Sequence, residues 1–406
     1  MFLGKQKNPK SFLTQLFRMV DRIEKIILYE DFVEQYLKEN KPCIFSSNLI
    51  TSDWKCVNSW IKADTLDTEF IEKHFGDLMA PVMDCNKQYF SSHEKNDMKV
   101  SAFINYWKNR DGRLLYLKDW HLQKLIDKMF YEVPFYFTSD WLNEYFDRDS
   151  KDDYRFVYIG VKGSWTSFHA DVFRSYSWSA NICGLKKWIF FPPGEEDKLK
   201  DKFGNLPFDV SSLPLDEMDI TYFTIFQKSG EVIFVPSGWH HQVFNLKDTV
   251  SINHNWINAF SIRFFWNHLT STLESVRKEI SDCAEMDGFH EQCQLILLSC
   301  AGMNYKGFYE MLCYLATKRL DILESESTDT HGANKIFISS QPGVVPNSER
   351  LSKEDKYNQL LTDLRMIKEV LLSLAEDVDL QQSIGKVELK DLNVLISRIA
   401  DSLQNR

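Results

Sequence analysis

His169-Ala170-Asp171 sets an imidazole and a carboxylate two residues apart, and Val235-Pro236-Ser237-Gly238-Trp239-His240-His241 brings two more imidazoles seventy residues after the aspartate. On an extended strand, residues two apart point to the same face. Two imidazoles and one carboxylate on one face of a metal leave three coordination positions open, the arrangement that non-haem Fe(II) oxygenases use. The third ligand must then come from a distant strand carried across the fold. The feature therefore demands a β core that brings residues 169–171 beside residues 240–241. Strand alternation allows only one of His240 and His241 to face the pair.

The sequence around both motifs has the required character. Short β-rich runs read as strands over residues 154–161, 175–183, 187–191, 220–227, 232–235 and 249–257, with turn signals between them at Pro192-Pro193-Gly194 and Ser229-Gly230. Such runs indicate a sandwich or barrel, not a parallel α/β sheet. The 30 Phe and 11 Trp among 406 residues fit an aromatic β core.

The flanks read differently. Residues 20–75 mix helix and loop: Asp31–Leu37 has helical spacing, and Asn40-Lys41-Pro42 turns into the apolar run Cys43-Ile44-Phe45. Residues 100–150 read as mainly helical, with Tyr116 inside the apolar piece Leu114–Leu117. Helical period returns beyond residue 260, and the polar stretch 322–356, with Pro342-Gly343 and Pro346, reads as a loop. Leu360, Leu364, Ile367, Leu371 and Leu374 then form a seam about two heptads long. Packing onto the chain's own helices is the first reading of that seam, and a homodimer through the C-terminal helices is the alternative. The expected organisation is a supporting region over 1–150, a β core over 151–262, helices over 263–323, a linker over 324–356 and terminal helices over 357–406.

Charge and cysteine content narrow the partners. A net charge of −10 makes nucleic acid an unfavourable ligand. The eight cysteines include no Cys-x-x-Cys pair, which argues against a zinc finger and for reduced thiols. The first residues, Met1–Asn8, lack the apolar core of a signal peptide, Gly4 is misplaced for myristoylation, and no apolar run reaches membrane-spanning length. The expected location is the cytoplasm or nucleus, without membrane attachment.

An enzyme that binds 2-oxoglutarate needs a cation for the distal carboxylate. Gly184-Leu185-Lys186-Lys187-Trp188 offers two, and alternation makes one of them a solvated edge charge, here Lys187. Lys186, fifteen residues after Asp171, is the inward candidate. A lysine entering a barrel is costly unless it meets an anion.

At these residues the chain resembles the JmjC family of Fe(II)- and 2-oxoglutarate-dependent oxygenases. The matching stretches are Thr166–Asp171, Ser177–Ser179, Gly184–Pro192, Gly230–Val243 and Val250–Trp256, and the resemblance covers roughly residues 25–270. It implies a mainly β fold with helical flanks, a double-stranded β-helix of jelly-roll, cupin-like form. It implies iron held by His169, Asp171 and His241, with 2-oxoglutarate and O2 as cosubstrates and Lys186 on the distal carboxylate. Thr166, Tyr116 on an upstream strand and Asn253 would assist at the cosubstrate. Many members carry Trp where this chain has His240. Within the family the likeness is to the small branch that has little beyond the JmjC domain. It implies lysyl hydroxylation of a translation release factor and a role in termination. A histone or protein lysine demethylase, an RNA-base hydroxylase and a non-catalytic JmjC-like scaffold are the rival readings. The absence of chromatin-reading modules weakens the first, net acidity the second, and retention of the triad with Lys186 the third.

Overall fold

The computed structural model describes residues 20–149, 152–328 and 353–404. Fourteen strands are described among them. In chain order they are β1 (Asp21–Ile23), β2 (Cys43–Phe45), β3 (Ile61–Lys62), β4 (Thr65–Leu66), β5 (Met79–Tyr89), β6 (Ser92–Lys99) and β7 (Leu115–Trp120), then β8 (Arg155–Gly160), β9 (Tyr176–Cys183), β10 (Leu185–Phe191), β11 (Phe223–Lys228), β12 (Val232–Val235), β13 (His240–Asn245) and β14 (Thr249–Trp256).

A nine-stranded sheet runs β1-β2-β12-β9-β14-β8-β7-β5-β6, antiparallel except for β1 against β2. A three-stranded sheet, β11-β10-β13, faces it. From β9 onward the chain crosses between the two sheets: β9 and β12 lie in the large one, β10, β11 and β13 in the small one, and β14 returns to the large one. This winding is the double-stranded β-helix.

The outer face of the large sheet is covered by the N-terminal region. Trp178, Phe137, Phe234 and Trp256 sit there fully or almost fully buried, with Phe137 stacked on Trp178 at 5.9 Å. Such rings dominate core energetics because each buries a large apolar area. The inner face instead carries polar side chains at period two: Ser177, Ser179 and Asn181 on β9, and Ser251, Asn253 and Asn255 on β14. Polar residues in otherwise apolar strands mark the face that lines a cavity.

Three stretches differ from the sequence expectation. Residues 100–150 contain the helices Val100–Asn109 and Trp141–Asp147, but Leu115–Trp120 is a strand between them. Its apolar run is too short for periodicity to separate strand from buried helix. The long β5–β6 hairpin is also absent from the strands expected from the sequence, whereas β13 runs as a strand from the His240-His241 motif to Asn245. β5 and β6 are polar and half-solvated toward their tip, so neither pattern is clean there. The helix Tyr305–Thr328 extends into the stretch read as loop, and residues 329–352 of that stretch lie outside the described residues, as do Met1–Asn8.

The C-terminal helices form a second core. Ile262–Glu279, Phe289–Ala301, Tyr305–Thr328, Lys353–Glu376 and Lys386–Gln404 pack together. The heptad-like seam is spent inside this bundle: Leu364, Ile367, Leu371 and Leu374 are fully buried within the chain itself.

Candidate iron and cosubstrate site

His169 and His241 meet through the backbone. They form an isolated antiparallel bridge: His169 N–H donates to His241 O (3.1 Å) and His241 N–H to His169 O (2.7 Å). Their rings lie 4.5 Å apart, centroid to centroid. One ligand atom from each of His169, Asp171 and His241 falls within 4.8 Å of the others. Each imidazole is pinned from behind. His169 Nδ1 meets Ser167 O at 2.7 Å and His241 Nδ1 meets Trp239 O at 3.0 Å. With Nδ1 tied to a carbonyl as donor, Nε2 presents its lone pair, as a metal-ligating histidine requires.

Charge agrees with geometry. Burial, then the neighbouring His241 ring, push the His169 pKa down, and burial does the same at His241, so both rings are neutral. Burial alone would raise Asp171, but His241 and His169 together with hydrogen bonds from Ser177 and Asn255 hold it below its usual value. Ser177 Oγ donates to Asp171 Oδ2 at 2.7 Å. Two neutral imidazoles and one carboxylate suit a divalent iron with open positions. These residues therefore fit the metal that the resemblance implies.

His240 lies on the other face of β13, as alternation demands. Its Nε2 accepts from Arg174 Nη1 (3.3 Å), its Nδ1 is 3.4 Å from Glu196 Oε1, and its ring packs against Phe168. Its contacts are with this polar set, whereas His241 stands beside His169 and Asp171. The turn after Asp171 is tight: Phe173 and Arg174 have φ of 58° and 51°. Side-chain residues rarely adopt that region, and strain of this kind persists where the surroundings fix it. Here Ser237 Oγ holds Arg174 O.

A second cluster lies deeper between the sheets. Lys186, 2% exposed, pairs in register with Asn245 across β10 and β13. Its Nζ donates to Asn245 Oδ1 (3.0 Å) and to Tyr116 Oη (3.3 Å). Burial lowers the Lys186 pKa to about 7 and raises that of Tyr116 well above normal. Among the described residues no carboxylate lies within ion-pair distance of Lys186. Gly160 makes room for this group: a Cβ there would stand 2.2 Å from Asn245 Nδ2 and 2.7 Å from Tyr116 Cε2.

Thr166 N–H donates to Val243 O, and its hydroxyl accepts from Val243 N–H at 3.1 Å, leaving its own proton to donate elsewhere. Asn253 Nδ2 donates to Ser251 Oγ at 3.3 Å, while its neighbour two residues on, Asn255, is the one that reaches Asp171. Sequence reasoning did not find Asn245, Ser177, Asn255 or Gly160. Period two was the available signal: Asn245 shares the face of His241, and Ser177 and Asn255 are polar positions in buried strands.

A third group, His121, Asp152 and Asp153, also has ligand atoms within 4.8 Å. Arg155 stands 3.8 Å from Asp153 and already supplies a cation there.

Comparison with known proteins decides the family. The profile described as "JmjC domain, hydroxylase" matches residues 156–256, from β8 to the end of β14. The chicken (Gallus gallus) protein 2-oxoglutarate and iron-dependent oxygenase JMJD4 is 45% identical over 341 residues, covering 80% of each chain. The chain belongs to the JmjC family of 2-oxoglutarate- and iron-dependent oxygenases. The human (Homo sapiens) protein of the same name is 41% identical over 373 residues, 87% of this chain and 84% of the relative. Arginine-specific demethylase JMJ20 of Arabidopsis thaliana is 36% identical over 371 residues, 84% of this chain and 79% of its own. As a JmjC enzyme the protein works with iron, 2-oxoglutarate and O2. No helix among the described residues is long and apolar enough to cross a membrane.

Proposed function

We propose that the enzyme is a protein lysyl hydroxylase whose substrate is a translation release factor, and that it acts in termination. The observation that carries the chemistry is the pairing of two buried clusters: a neutral-imidazole, carboxylate triad and a buried lysine without a carboxylate. His169, Asp171 and His241 would hold the iron. Lys186, with Tyr116 and Asn245, would take the distal carboxylate of 2-oxoglutarate, and Thr166 would donate its free hydroxyl proton nearby. Bound iron, 2-oxoglutarate and O2 supply the oxidising power that turns a substrate C–H into C–OH, with succinate and carbon dioxide as the other products. The chain's residues position the reactants and keep the pocket shielded. Ser177 and Asn255 hold Asp171 ionised, and Ser167 and Trp239 hold the imidazole tautomers. The choice of a release factor rests on likeness to the branch with little beyond the JmjC domain. Intact mass of the purified factor after incubation with enzyme, iron and 2-oxoglutarate tests it: the expected result is a gain of one oxygen on a lysine. An unchanged mass removes the factor from consideration. His169→Ala and Asp171→Ala should each abolish turnover, and full turnover in both would remove the triad.

Arginine or lysine demethylation is the second reading, favoured by the name of the Arabidopsis relative. Formaldehyde released from a methylated peptide, with no stable hydroxyl product, would establish it in place of hydroxylation.

A further inference from the structure

Strand β7 breaks its pairing with β8 between Leu117 and Trp120, and the two residues at the break are Lys118 and Asp119. Asp119 has a φ of 60°. Bulges of this kind re-aim side chains and are frequent beside active sites. Tyr158 Oη, from the inner face of β8, donates to Asp119 Oδ1 at 2.8 Å. The Tyr158 ring stands edge-on to Tyr116, 5.9 Å away, and 6.3 Å from Phe156. Tyr116 in turn touches Lys186. Asp119 and Tyr158 therefore border the cosubstrate cluster, on the sheet face that also carries Asn253 and Asn255.

Lys118 shows what this corner binds. Its Nζ is 3.5 Å from Asp119 Oδ1 and 5.5 Å from the Tyr158 ring centroid. A carboxylate beside aromatic faces is the composition that recognises an ammonium group. The corner stays open to solvent: Lys118 and Asp119 side chains are 16% and 26% exposed, and Phe156 and Tyr158 are half-buried. Burial would raise the Asp119 pKa, but Lys118, the Tyr158 hydroxyl and the more distant Lys95 hold it down, so the carboxylate is charged.

We infer that Asp119, with the Tyr158 ring, is the specificity-determining pocket for the ammonium of the substrate lysine, and that Lys118 occupies it until substrate displaces it. This inference rests on the lysyl hydroxylase reading and adds the residues that select lysine. Lys118 is a weak occupant: its Nζ stands 3.5 Å from Asp119 Oδ1, and the pair keeps contact with solvent. It keeps the carboxylate paired in the free enzyme.

The test uses the full chain with Mn(II) and 2-oxoglutarate under anaerobic conditions, and two probes, n-pentylammonium and n-pentanol, followed by saturation-transfer NMR. The wild type should give strong signals for the ammonium and weak ones for the alcohol. Asp119→Asn, in which asparagine tolerates the positive φ, should reduce the ammonium signal to that of the alcohol. Lys118→Met should strengthen it. Equal signals for both probes in the wild type, an ammonium signal that survives in Asp119→Asn, or a weaker signal in Lys118→Met would overturn the inference. With the release factor as substrate, Asp119→Asn should raise KM for the factor by roughly tenfold, the value of one modest charge contact, and more than it raises KM for 2-oxoglutarate. If the factor gains no oxygen while pentylammonium binds through Asp119, the lysine pocket stands and only the choice of factor falls.

Discussion

Two of the buried cations among the described residues, Arg319 and Lys186, are handled in opposite ways. Arg319, in the C-terminal bundle, is 6% exposed and fully answered. Its Nη1 and Nη2 donate to the two oxygens of Glu144 at 2.8 Å each, and its Nε donates to Asp363 Oδ2 at 3.1 Å. Trp141 Nε1 donates to the same Asp363 oxygen. Lys186, in the barrel, is buried as deeply but meets only an amide oxygen and a phenol. Burial raises Asp363 to about 6 and lowers Lys186 to about 7. At Arg319 two carboxylates more than offset burial, and its pKa rises. A buried charge is costly unless it is paired. The bundle meets that cost within the chain, joining the helix Trp141–Asp147 to two C-terminal helices. The barrel leaves it unmet among the described residues, which is what the proposed role on the distal carboxylate of 2-oxoglutarate calls for. Pairing state, more than burial, separates these two cations.

The comparison can be broken by exchanging each cation for a neutral side chain of similar length. Arg319→Met should have the largest effect, destabilising the fold by about 3–5 kcal/mol because two carboxylates lose their partner. Chemical denaturation would show it as a lower midpoint, and a midpoint equal to the wild type would end the structural role. Lys186→Met should do the reverse: an unliganded fold at least as stable as the wild type, with 2-oxoglutarate affinity weakened by roughly a hundredfold or more. Titration calorimetry against a Mn(II)-loaded protein would measure it, and retained affinity would remove Lys186 from the cosubstrate site.

A pH series sharpens the same contrast. The folded Lys186 pKa lies below its unfolded value, so the unfolded chain holds the proton more tightly. Unliganded stability should therefore rise as pH climbs from about 7 toward the unfolded value. Binding the 2-oxoglutarate dianion needs the ammonium form. Above pH 7 it must take up a proton, and affinity should fall by about tenfold per pH unit. Lys186→Met should flatten both curves.

Smaller effects separate the support of the triad from the rest of the inner face. Ser177→Ala removes the hydrogen bond to Asp171 and should weaken iron affinity by about 10–100-fold, the usual cost of losing a group that orients a ligand. Asn253→Ala, whose contact is Ser251, should change KM for 2-oxoglutarate by no more than about twofold, as expected of substitutions away from buried networks. A large rise would place Asn253 on the cosubstrate, as the resemblance implies.

Much of this was legible in the residues. The His-x-Asp pair and the Trp-His-His motif required a β core that joins them, and the turn signals located six strands close to where they lie. The seam from Leu360 to Leu374 foretold a buried helix face, although period alone could not say whose core it entered. Period did not reveal the strand carrying Tyr116, because its apolar run, Leu114–Leu117, is only four residues long and ends at the charged Lys118 and Asp119.

The sequence by itself determined the ligand chemistry, the β core and the family, because residue type and period two are local properties. Strand period left His240 and His241 open and only the resemblance chose between them; tertiary structure sets His241 beside His169 through a backbone bridge between residues 72 apart. It also decided that Lys186 meets Asn245 and Tyr116, that Gly160 leaves space for them, and that a bulge turns Asp119 toward Tyr158. Those contacts are set by strand register across two sheets, and register between distant strands is written in no single stretch of the chain.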